Sequence, residues 1–200
     1  MPPLIESEMP GDPVQMFERW FAEAGRAGAE QPDAVALATA SRAGEPSARM
    51  VLFKGIEDGA FLFYSDYASR KGMELATNPR AALVFYWSAT RHQVRVSGRV
   101  RRLSSAASAE YFHSRPRGAQ LSALASRQSR VVRSREVLED AVLKLATRFP
   151  DEVPLPRDWG GYSLRPRWIE FWENREDRLH DRLRYVKLRA GGWRLERLAP

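Results

Sequence analysis

Hydrophobic residues near the start of the chain recur at the three- and four-residue spacing of an amphipathic helix. This helix is expected to begin after Asp12, with Pro13 at its first position and Gln15 three residues after the cap. Gly25 and Gly28 are expected to end it. The apolar residues that form its stripe are Met16, Phe17, Trp20 and Phe21.

Most of the remaining apolar residues lie in short runs that are typical of β-strands. In the run 92–103 the alternation is clear, because Val94, Val96 and Val100 point to one side and the polar residues between them to the other. Turn-forming residues such as Gly191-Gly192 separate the runs. The predicted strands are 34–40, 48–54, 60–64, 81–87, 92–103, 163–173, 182–189 and 193–198.

Helices are predicted at 69–77, 105–114 and 134–149, with a polar link rich in Ser, Arg and Gln between the last two. Because the strands follow one another with tight turns and few intervening helices, the pattern favours a closed or partly closed antiparallel barrel with peripheral helices. The chain has neither G-x-G-x-x-G nor G-x-x-x-x-G-K-[ST]. Residues 1–11 are expected to be a flexible arm, and 12–200 a single domain.

The composition is globular, since 44% of the 200 residues are hydrophobic and 28% are charged. A net charge of +7 favours an anionic partner. That signal is weak, because 28 of the 32 basic residues are arginine and only four are lysine, which indicates a coding bias. The chain has no cysteine, so disulfides and thiolate chemistry are excluded.

The N-terminal region gives no sign of export. Glu6 and Glu8 lie where a secretory signal would have a basic flank and an apolar stretch. No run of eighteen apolar residues occurs, so no transmembrane helix and no membrane partner are expected. A cytoplasmic protein is the expectation.

Arg49 and Lys54 bound a predicted strand, and both are candidates for binding an anion. Because they are five positions apart, an ideal strand points them to opposite faces, so one compact anion could not contact both. An elongated ligand lying along the strand could do so, particularly if the chain bends at Gly55. An amphipathic strand with charged ends explains the same pattern without a ligand.

Two further clusters of donors lie at predicted helix ends. Tyr64-Ser65 and Ser69-Arg70-Lys71 place hydroxyl groups and two cations at a helix start, which suits a phosphate but also fits a capped surface helix. Tyr111-Phe112-His113-Ser114-Arg115-Pro116-Arg117 places donors at a helix end, where a basic C-terminus is favourable without any ligand.

Two polar segments complete the candidates. Gln128-Ser129 lies in the polar link, which has little apolar content and is expected either to stay loose or to be ordered by a ligand or partner chain. Trp172 fits a core position, but the dense polar run 175–182 that follows it is harder to explain as structure alone.

Other chemistries find little support in the sequence. His92, His113 and His180 share no metal-ligand spacing, so no metal is expected. There is no G-x-S-x-G, which disfavours a hydrolase. Arg99-Val100-Arg101-Arg102 is basic, but no nucleic-acid-binding module accompanies it, so no nucleic acid is expected as a partner.

In their order along the chain, these segments resemble the pyridoxamine 5′-phosphate oxidase family over roughly residues 12–200. The family is implied by the whole set, since each motif alone is weak. The motifs are Arg49–Lys54, Tyr64-Ser65, Ser69-Arg70-Lys71, Arg91-His92-Gln93-Val94, Tyr111–Arg117, Ser126-Arg127-Gln128-Ser129, Trp159-Gly160-Gly161, Ile169-Glu170-Phe171-Trp172, Arg178-Leu179-His180-Asp181-Arg182 and Arg197-Leu198-Ala199-Pro200.

The resemblance implies a mainly β, antiparallel Greek-key split barrel with peripheral helices, which forms a homodimer with FMN bound between the subunits. One chain would contribute Arg49, Met50, Val51, Leu52, Phe53, Lys54, Tyr64, Ser65, Arg70, Lys71 and Gln93 to the FMN site. The other chain would contribute Gln128, Ser129, Trp172 and Arg182.

The resemblance also implies the substrate site and the reaction. Lys54, Tyr111 and Arg115 would hold the substrate phosphate, and Arg178 and His180 would lie over the pyridine ring as the catalytic residues. Pyridoxamine or pyridoxine 5′-phosphate, a phosphorylated B6 vitamer, would pass a hydride equivalent to the flavin. Dioxygen would then reoxidise the flavin and yield hydrogen peroxide, with pyridoxal 5′-phosphate as product.

Two departures from the family pattern bear on the substrate. Ala119 stands where the family usually has a serine, and Met1–Gly11 lacks the Arg/Tyr-containing segment that closes over the site. One alternative is therefore a related flavin oxidase of secondary metabolism, of the phenazine-biosynthesis type, and another is a non-catalytic flavin- or anion-binding protein. The presence of Lys54, Tyr111 and Arg115 favours the phosphorylated substrate.

Overall fold

The computed structural model describes residues 3–200. These residues form eight β-strands, five α-helices and one short 3-10 helix at Glu6–Glu8. The helices are α1 (Pro13–Arg26), α2 (Arg70–Thr77), α3 (Ser105–Ser114), α4 (Arg117–Ala125) and α5 (Arg135–Arg148). The strands are β1 (Ala34–Ala40), β2 (Pro46–Glu57), β3 (Ala60–Asp66), β4 (Arg80–Trp87), β5 (His92–Arg102), β6 (Trp159–Glu173), β7 (Asp181–Lys187) and β8 (Trp193–Arg197).

The strands form one antiparallel sheet in the order β3-β2-β1-β4-β5-β6-β7-β8. An additional pairing of β3 with β6 closes the first six strands into a barrel, and β7 and β8 extend beyond it as a hairpin. The long strand β6 serves both parts, because its first residues pair with β3 and its last residues pair with β7. This architecture confirms the predicted mainly β barrel with peripheral helices.

Aromatic side chains fill the barrel. Phe17 of α1 is fully buried and meets Phe61 and Phe85 edge-on, with ring centroids 4.8 and 4.9 Å apart. The helix begins as the sequence predicts, since the Asp12 carboxylate accepts a hydrogen bond from the Val14 amide and Pro13 occupies the first turn. Burial of this apolar stripe is therefore what fixes α1 against the strands.

The polar link between the predicted helices contains a helix of its own, so the expectation of an irregular segment was wrong at Arg117–Ala125. Its apolar periodicity is weak because only Leu121 and Gln120 are buried. Leu121 packs with Phe112, Val153 and Trp159 in a second, smaller core outside the barrel. The Gln120 side-chain amide donates to the carbonyls of His113 and Arg115, which ties α4 to the end of α3.

Strand β6 begins at Trp159, four residues before the predicted start. Gly160-Gly161 is typical of a turn, but here the two glycines pair in the sheet with Ser65 and Tyr64. A side chain at Gly160 would lie 2.1 Å from the Tyr67 hydroxyl oxygen, so the close packing of that ring requires glycine. The glycines therefore mark close packing inside a strand.

The segment before α1 contacts the C-terminal hairpin. Arg197 forms ion pairs with Glu6 at 2.6 Å and Asp181 at 2.7 Å, and the Tyr185 hydroxyl donates to the Pro10 carbonyl at 2.7 Å. These contacts connect the N-terminal segment to the hairpin, and the flexibility of residues 1–11 stays a prediction. Within residues 3–200, no helix combines the length and apolar character needed to cross a membrane.

Candidate functional site

A buried lysine at the start of α2 is the centre of the first group of predicted site residues. Ser69 caps this helix, and Lys71 lies in its first turn with only 8% of its surface exposed. The Lys71 ammonium donates to Gln128 Oε1 at 2.5 Å and to Ser65 Oγ at 3.0 Å. Within the part of the chain that the structure describes, no carboxylate lies within ion-pair distance of it.

The charge of the Lys71 ammonium is not balanced by its hydrogen-bond partners, which are neutral oxygens. Burial, and then the field of Arg49, lowers the pKa of Lys71. Buried charges in folded proteins are paired or bind ions, since an unpaired one is costly. The surroundings of Lys71 therefore fit an anionic ligand at the N-terminus of α2, where backbone amides and the helix dipole also favour negative charge.

Two arginines flank this lysine and share one carboxylate. Arg49 Nη2 lies 3.4 Å from Glu74 Oε2, and Arg70 Nε lies 2.9 Å from Glu74 Oε1. Although burial alone would raise it, hydrogen bonds from Ser47, Thr39 and Arg70 hold the pKa of Glu74 at about 2. The carboxylate is therefore ionised at neutral pH and fixes both guanidinium groups.

A cavity of about 240 Å³ opens beside Lys71. It brings together most of the residues predicted for the first half of the FMN site with those predicted for the substrate phosphate. Its lining consists of Met50, Val51, Leu52, Lys54, Tyr64, Ser65, Lys71, Tyr111, Arg115, Gln128 and Trp159. Arg49 and Arg70 adjoin this group through Glu74, and the Ser129 hydroxyl accepts from the Arg70 amide at 3.2 Å.

Stacked aromatic rings form one wall of the cavity. The rings of Tyr64 and Tyr111 lie 3.8 Å apart at 20°, and Trp159 continues the stack. Burial raises the pKa of Tyr64, so its hydroxyl is neutral and can donate a hydrogen bond. Arg115 lies over the Trp159 ring at 4.9 Å, and its buried Nη1 atom has no hydrogen-bond partner among the described residues. Arg115 therefore has donor capacity to spare for an anion.

Lys54 ends the predicted segment Arg49–Lys54 of β2, at a point where the strand departs from ideal geometry. The pairing with β3 shifts register between Phe53 and Ile56, and Gly55 has a φ of 109° that favours glycine. This is the bend expected at Gly55. Lys54 reaches the cavity but is paired with Asp33, with Nζ and Oδ2 2.9 Å apart.

Phe53 differs from its neighbours in the predicted set. Its side chain is 7% exposed and packs in the barrel core against Phe17 and Phe85. Only its backbone is therefore available to a ligand in the cavity.

A second group of predicted residues lies elsewhere, in one row across three strands. The sheet register places Gln93 of β5 opposite Trp172 of β6, and Trp172 opposite Arg182 of β7. All three alternate with buried neighbours, so they lie on the outer face of the barrel. The buried Glu170 carboxylate accepts from Arg182 Nε at 3.0 Å and Nη2 at 2.8 Å, which fixes this guanidinium.

The loop between β6 and β7 places Arg178 and His180 beside this row. His180 lies against the Trp172 ring at 4.8 Å, and its Nδ1 accepts from the Arg175 amide at 3.0 Å. Neutral His180 therefore carries its proton on Nε2. Arg178 is exposed and has a φ of 67°, a left-handed conformation that non-glycine residues rarely adopt. Ser129, in the first group, shares this conformation with a φ of 68°.

The two groups lie at opposite ends of β6. Ser65 and Tyr64 pair with Gly160 and Gly161 at its start, whereas Trp172 is next to its last residue. About 11 residues of extended strand separate these points, which is roughly 35 Å at about 3.3 Å per residue. The distance exceeds the length of a flavin mononucleotide, so one bound molecule does not span both groups within a single chain.

Within one chain, the structure groups some residues differently from the predicted division between chains, which itself stays a prediction. Gln128 and Ser129 bond to Ser65, Lys71 and Arg70 of their own chain, because α4 leads the polar link back over the start of α2. Gln93 belongs instead to the row with Trp172 and Arg182, since β5 pairs with β6 at that end.

Several residues of the site escaped the sequence analysis. Glu74, Thr39 and Ser47 hold Arg49, and Asp33 pairs with Lys54. Their signal in the sequence was limited to polar residues in apolar strands and a Glu at the i+4 position from Arg70. Trp159 was quoted only within a motif. Among residues 3–200, no group of His, Asp or Glu is arranged to hold a metal ion.

Comparison with known proteins gives consistent family matches along the chain. Residues 21–149 match the family described as pyridoxamine 5′-phosphate oxidase, and residues 159–200 match the pyridoxine 5′-phosphate oxidase C-terminal dimerisation region. The pyridoxine/pyridoxamine 5′-phosphate oxidase of Salinibacter ruber is 52% identical, covering 98% of this chain and 93% of that protein. The protein of the same name from Salinispora arenicola is 51% identical, with 98% and 90% covered.

Two solved structures share the fold. PhzG from Burkholderia lata 383, in complex with tetrahydrophenazine-1-carboxylic acid, has a TM-score of 0.93 at 33% identity, with 98% of both chains covered. A pyridoxamine 5′-phosphate oxidase-related, FMN binding protein from Nostoc punctiforme PCC 73102 has a TM-score of 0.77 at 20% identity, with 96% of this chain and all of that chain covered. The second likeness concerns the fold alone.

Proposed function

The chain belongs to the pyridoxamine 5′-phosphate oxidase family, and on that premise we propose how its residues carry out the family's FMN-dependent reaction. The substrate is pyridoxamine or pyridoxine 5′-phosphate, and the product is pyridoxal 5′-phosphate. FMN supplies a hydride acceptor that dioxygen can reoxidise with release of hydrogen peroxide. The contribution of the protein is binding, orientation and placement of charge.

The buried ammonium of Lys71 is the observation that carries this proposal. Its hydrogen-bond partners are neutral oxygens. Arg70 precedes it at the start of α2, and Arg49 reaches this helix from β2 through Glu74. Three cations and the positive end of the helix dipole suit the phosphate of FMN. The flavin would then run along β2 past Met50 and Leu52, whose apolar side chains are 63% and 40% exposed.

The remaining FMN contacts come from a second copy of the chain in this proposal. Gln93, Trp172 and Arg182 lie too far along β6 to reach the same FMN within one chain, but a partner can present them. The match of residues 159–200 to a dimerisation region supports a homodimer, and this region contains Trp172 and Arg182. The site would therefore lie at the subunit interface.

The substrate phosphate would bind Lys54, Tyr111 and Arg115. Arg115 has an unpartnered, buried Nη1 atom at this cavity, and Lys54, which is paired with Asp33, lines the same cavity. Ala119 and Arg115 line an adjoining cavity together with Ser122 and Ser126, so hydroxyl groups are present where the alanine has none. In this proposal, Ser122 or Ser126 would replace the missing serine hydroxyl.

Arg178 and His180 would be supplied with Trp172 from the partner and would lie over the substrate ring. The guanidinium of Arg178 is exposed on a strained turn, which suits a side chain that acts on a ligand. His180 is oriented by its bond from the Arg175 amide and presents Nε2–H. These two groups would orient the substrate carbon toward the flavin and stabilise charge on the ring.

A phenazine-type oxidase is the second candidate, because PhzG shares the fold with a TM-score of 0.93. Lys54, Arg115 and Tyr111, which line this cavity, favour a phosphorylated substrate over an unphosphorylated one. The test compares peroxide release from pyridoxamine 5′-phosphate with release from pyridoxamine, using protein loaded with FMN. We expect the phosphorylated compound to be strongly preferred. Equal rates, or no peroxide from a fully flavin-loaded protein, would overturn the proposal.

A further inference from the structure

A buried carboxylate behind the phosphate site makes four contacts with cations and hydroxyl groups. Glu74 is 7% exposed and lies on α2, one turn after Arg70. Its Oε1 accepts from Arg70 Nε at 2.9 Å. Its Oε2 accepts from Thr39 Oγ1 at 2.5 Å and Ser47 Oγ at 2.6 Å, and lies 3.4 Å from Arg49 Nη2.

The two hydroxyl groups connect this carboxylate to Arg49 a second time. Arg49 Nη1 donates to Thr39 Oγ1 and Arg49 Nη2 donates to Ser47 Oγ, both at 2.5 Å. The register of β1 with β2 places Thr39 directly opposite Ser47, and Arg49 lies two residues further along on the same face. Both amino groups of Arg49 are therefore held, directly or through a hydroxyl, by Glu74.

We propose that Glu74 is a positioning residue, which holds Arg49 and Arg70 in place for the phosphate of FMN; this inference rests on the proposed function. Two arginine side chains near Lys71 repel one another and have many rotamers, so without a shared anion they would spread into solvent. A buried carboxylate between them offsets the repulsion and restricts the rotamers before the ligand binds. Pre-ordered donors bind more tightly because less freedom is lost on binding.

The test measures the affinity of apoprotein for FMN and for riboflavin, which lacks the phosphate. In Glu74→Gln the side chain keeps its shape but loses its charge. We expect the Kd for FMN to rise roughly tenfold, as when one charge-assisted interaction is lost. The Kd for riboflavin should stay within about twofold, because the isoalloxazine contacts are unchanged.

Glu196→Gln is the matched control, since Glu196 also accepts from two arginines, Arg184 and Arg194, but on the β7–β8 hairpin. Its FMN affinity should equal that of the wild type. Thr39→Val provides a second variant that keeps all charges and breaks one hydroxyl link, with an expected rise of about threefold in the FMN Kd only.

The outcomes separate the inference from the proposed function. Equal losses of FMN and riboflavin affinity in Glu74→Gln would mean a general structural role and would overturn the inference. Unchanged FMN affinity in both variants, with normal FMN binding by the wild type, would also overturn it and leave the proposed function intact. A wild-type protein that binds neither flavin would overturn both.

Discussion

The two groups of site residues differ in how much of their geometry one chain fixes. Around the buried Lys71, cations, hydroxyls and the Gln128 amide are bonded to one another, and a cavity lies beside them. The row of Gln93, Trp172 and Arg182 lies on the outer face of the barrel, next to an exposed loop that carries Arg178. Arg182 is the member of this row held by a buried carboxylate, Glu170.

This difference teaches that each chain carries two halves of the site. The first half is the group around Lys71, and the second half is the row of Gln93, Trp172 and Arg182 with the adjoining loop. In the proposed function, the half around Lys71 binds a compact anion with donors that are already in place. The second half offers rings and a guanidinium on the outer face of the barrel. Because ligand sites are concave, these groups can enclose a ligand only when a second surface packs opposite them. Each of the following predictions changes one half and asks whether the other responds.

The largest expected effect comes from Lys71→Met, which removes the buried cation of the first half. We expect the Kd for FMN to rise roughly 100-fold, equivalent to about 3 kcal/mol. Apoprotein should unfold at the same or a higher temperature, because an unpaired buried charge has been replaced by an apolar side chain. Flavin fluorescence titration and thermal unfolding measure the two effects, with the exposed Lys144→Met as control. A less stable apoprotein that still binds FMN would contradict this account.

Arg178→Ala tests the second half alone. Turnover with pyridoxamine 5′-phosphate should fall roughly 100-fold, because the variant loses a group placed over the substrate ring. FMN affinity should change by less than about threefold, since the phosphate site is untouched. Arg189→Ala, an exposed arginine near the β7–β8 turn, serves as control. Steady-state peroxide release and FMN titration give the answer, and unchanged turnover would remove Arg178 from the catalytic set.

Acid should remove the stabilisation that the ionised Glu74 contributes to the folded chain. The native pKa of Glu74 is about 2, below its ordinary value of 4.5, so the unfolded chain binds more protons as pH falls. The stabilisation is present above roughly pH 4.5 and is lost as pH falls toward 2, with a full size of about 3 kcal/mol. Urea unfolding of apoprotein between pH 6 and pH 3 should show a shallower decline for Glu74→Gln than for the wild type. Parallel curves would show that Glu74 does not contribute.

Asp33→Asn gives the smallest expected effect, because it removes the ion-pair partner of Lys54 and leaves the cations of the first half in place. Asp33 pairs with Lys54 at 2.9 Å and competes with a substrate phosphate for the ammonium. Because both groups are about one-quarter exposed, we expect the KM for pyridoxamine 5′-phosphate to fall only about threefold. Lys54→Ala should raise the same KM. A higher KM in Asp33→Asn would mean that the pair orients Lys54 rather than restrains it.

The barrel itself was largely predictable from the sequence, because alternation and tight turns report on strands directly. The run 92–103 and the helix 105–114 agree with β5 and α3 within one residue. Helix α4 was not predicted, because a helix that buries only Gln120 and Leu121 leaves almost no periodic signal. Strand β6 was predicted four residues too short, since two glycines that pack against rings are indistinguishable in sequence from a turn.

The candidate site was less predictable, because its residues meet through pairing between distant strands. Family resemblance gave the residues around Lys71, but nothing local placed Gln128 beside Ser65 of the same chain. The role of Glu74 could not be predicted for the same reason, since Thr39 and Ser47 reach it only once β1 and β2 are in register. Which residues face a partner chain depends on a second molecule, about which a single sequence carries little information.

The central claim is that Lys71 of one chain and Arg178 of its partner serve the same site, and mixed dimers test it most directly. Lys71→Met and Arg178→Ala chains carrying different tags are co-expressed, and heterodimers are isolated by successive affinity steps. Each heterodimer would contain one site with both residues intact, so we expect about half of the wild-type peroxide release per dimer. Activity no higher than that of the two parent variants would contradict the claim, because both residues would then serve a site within one chain.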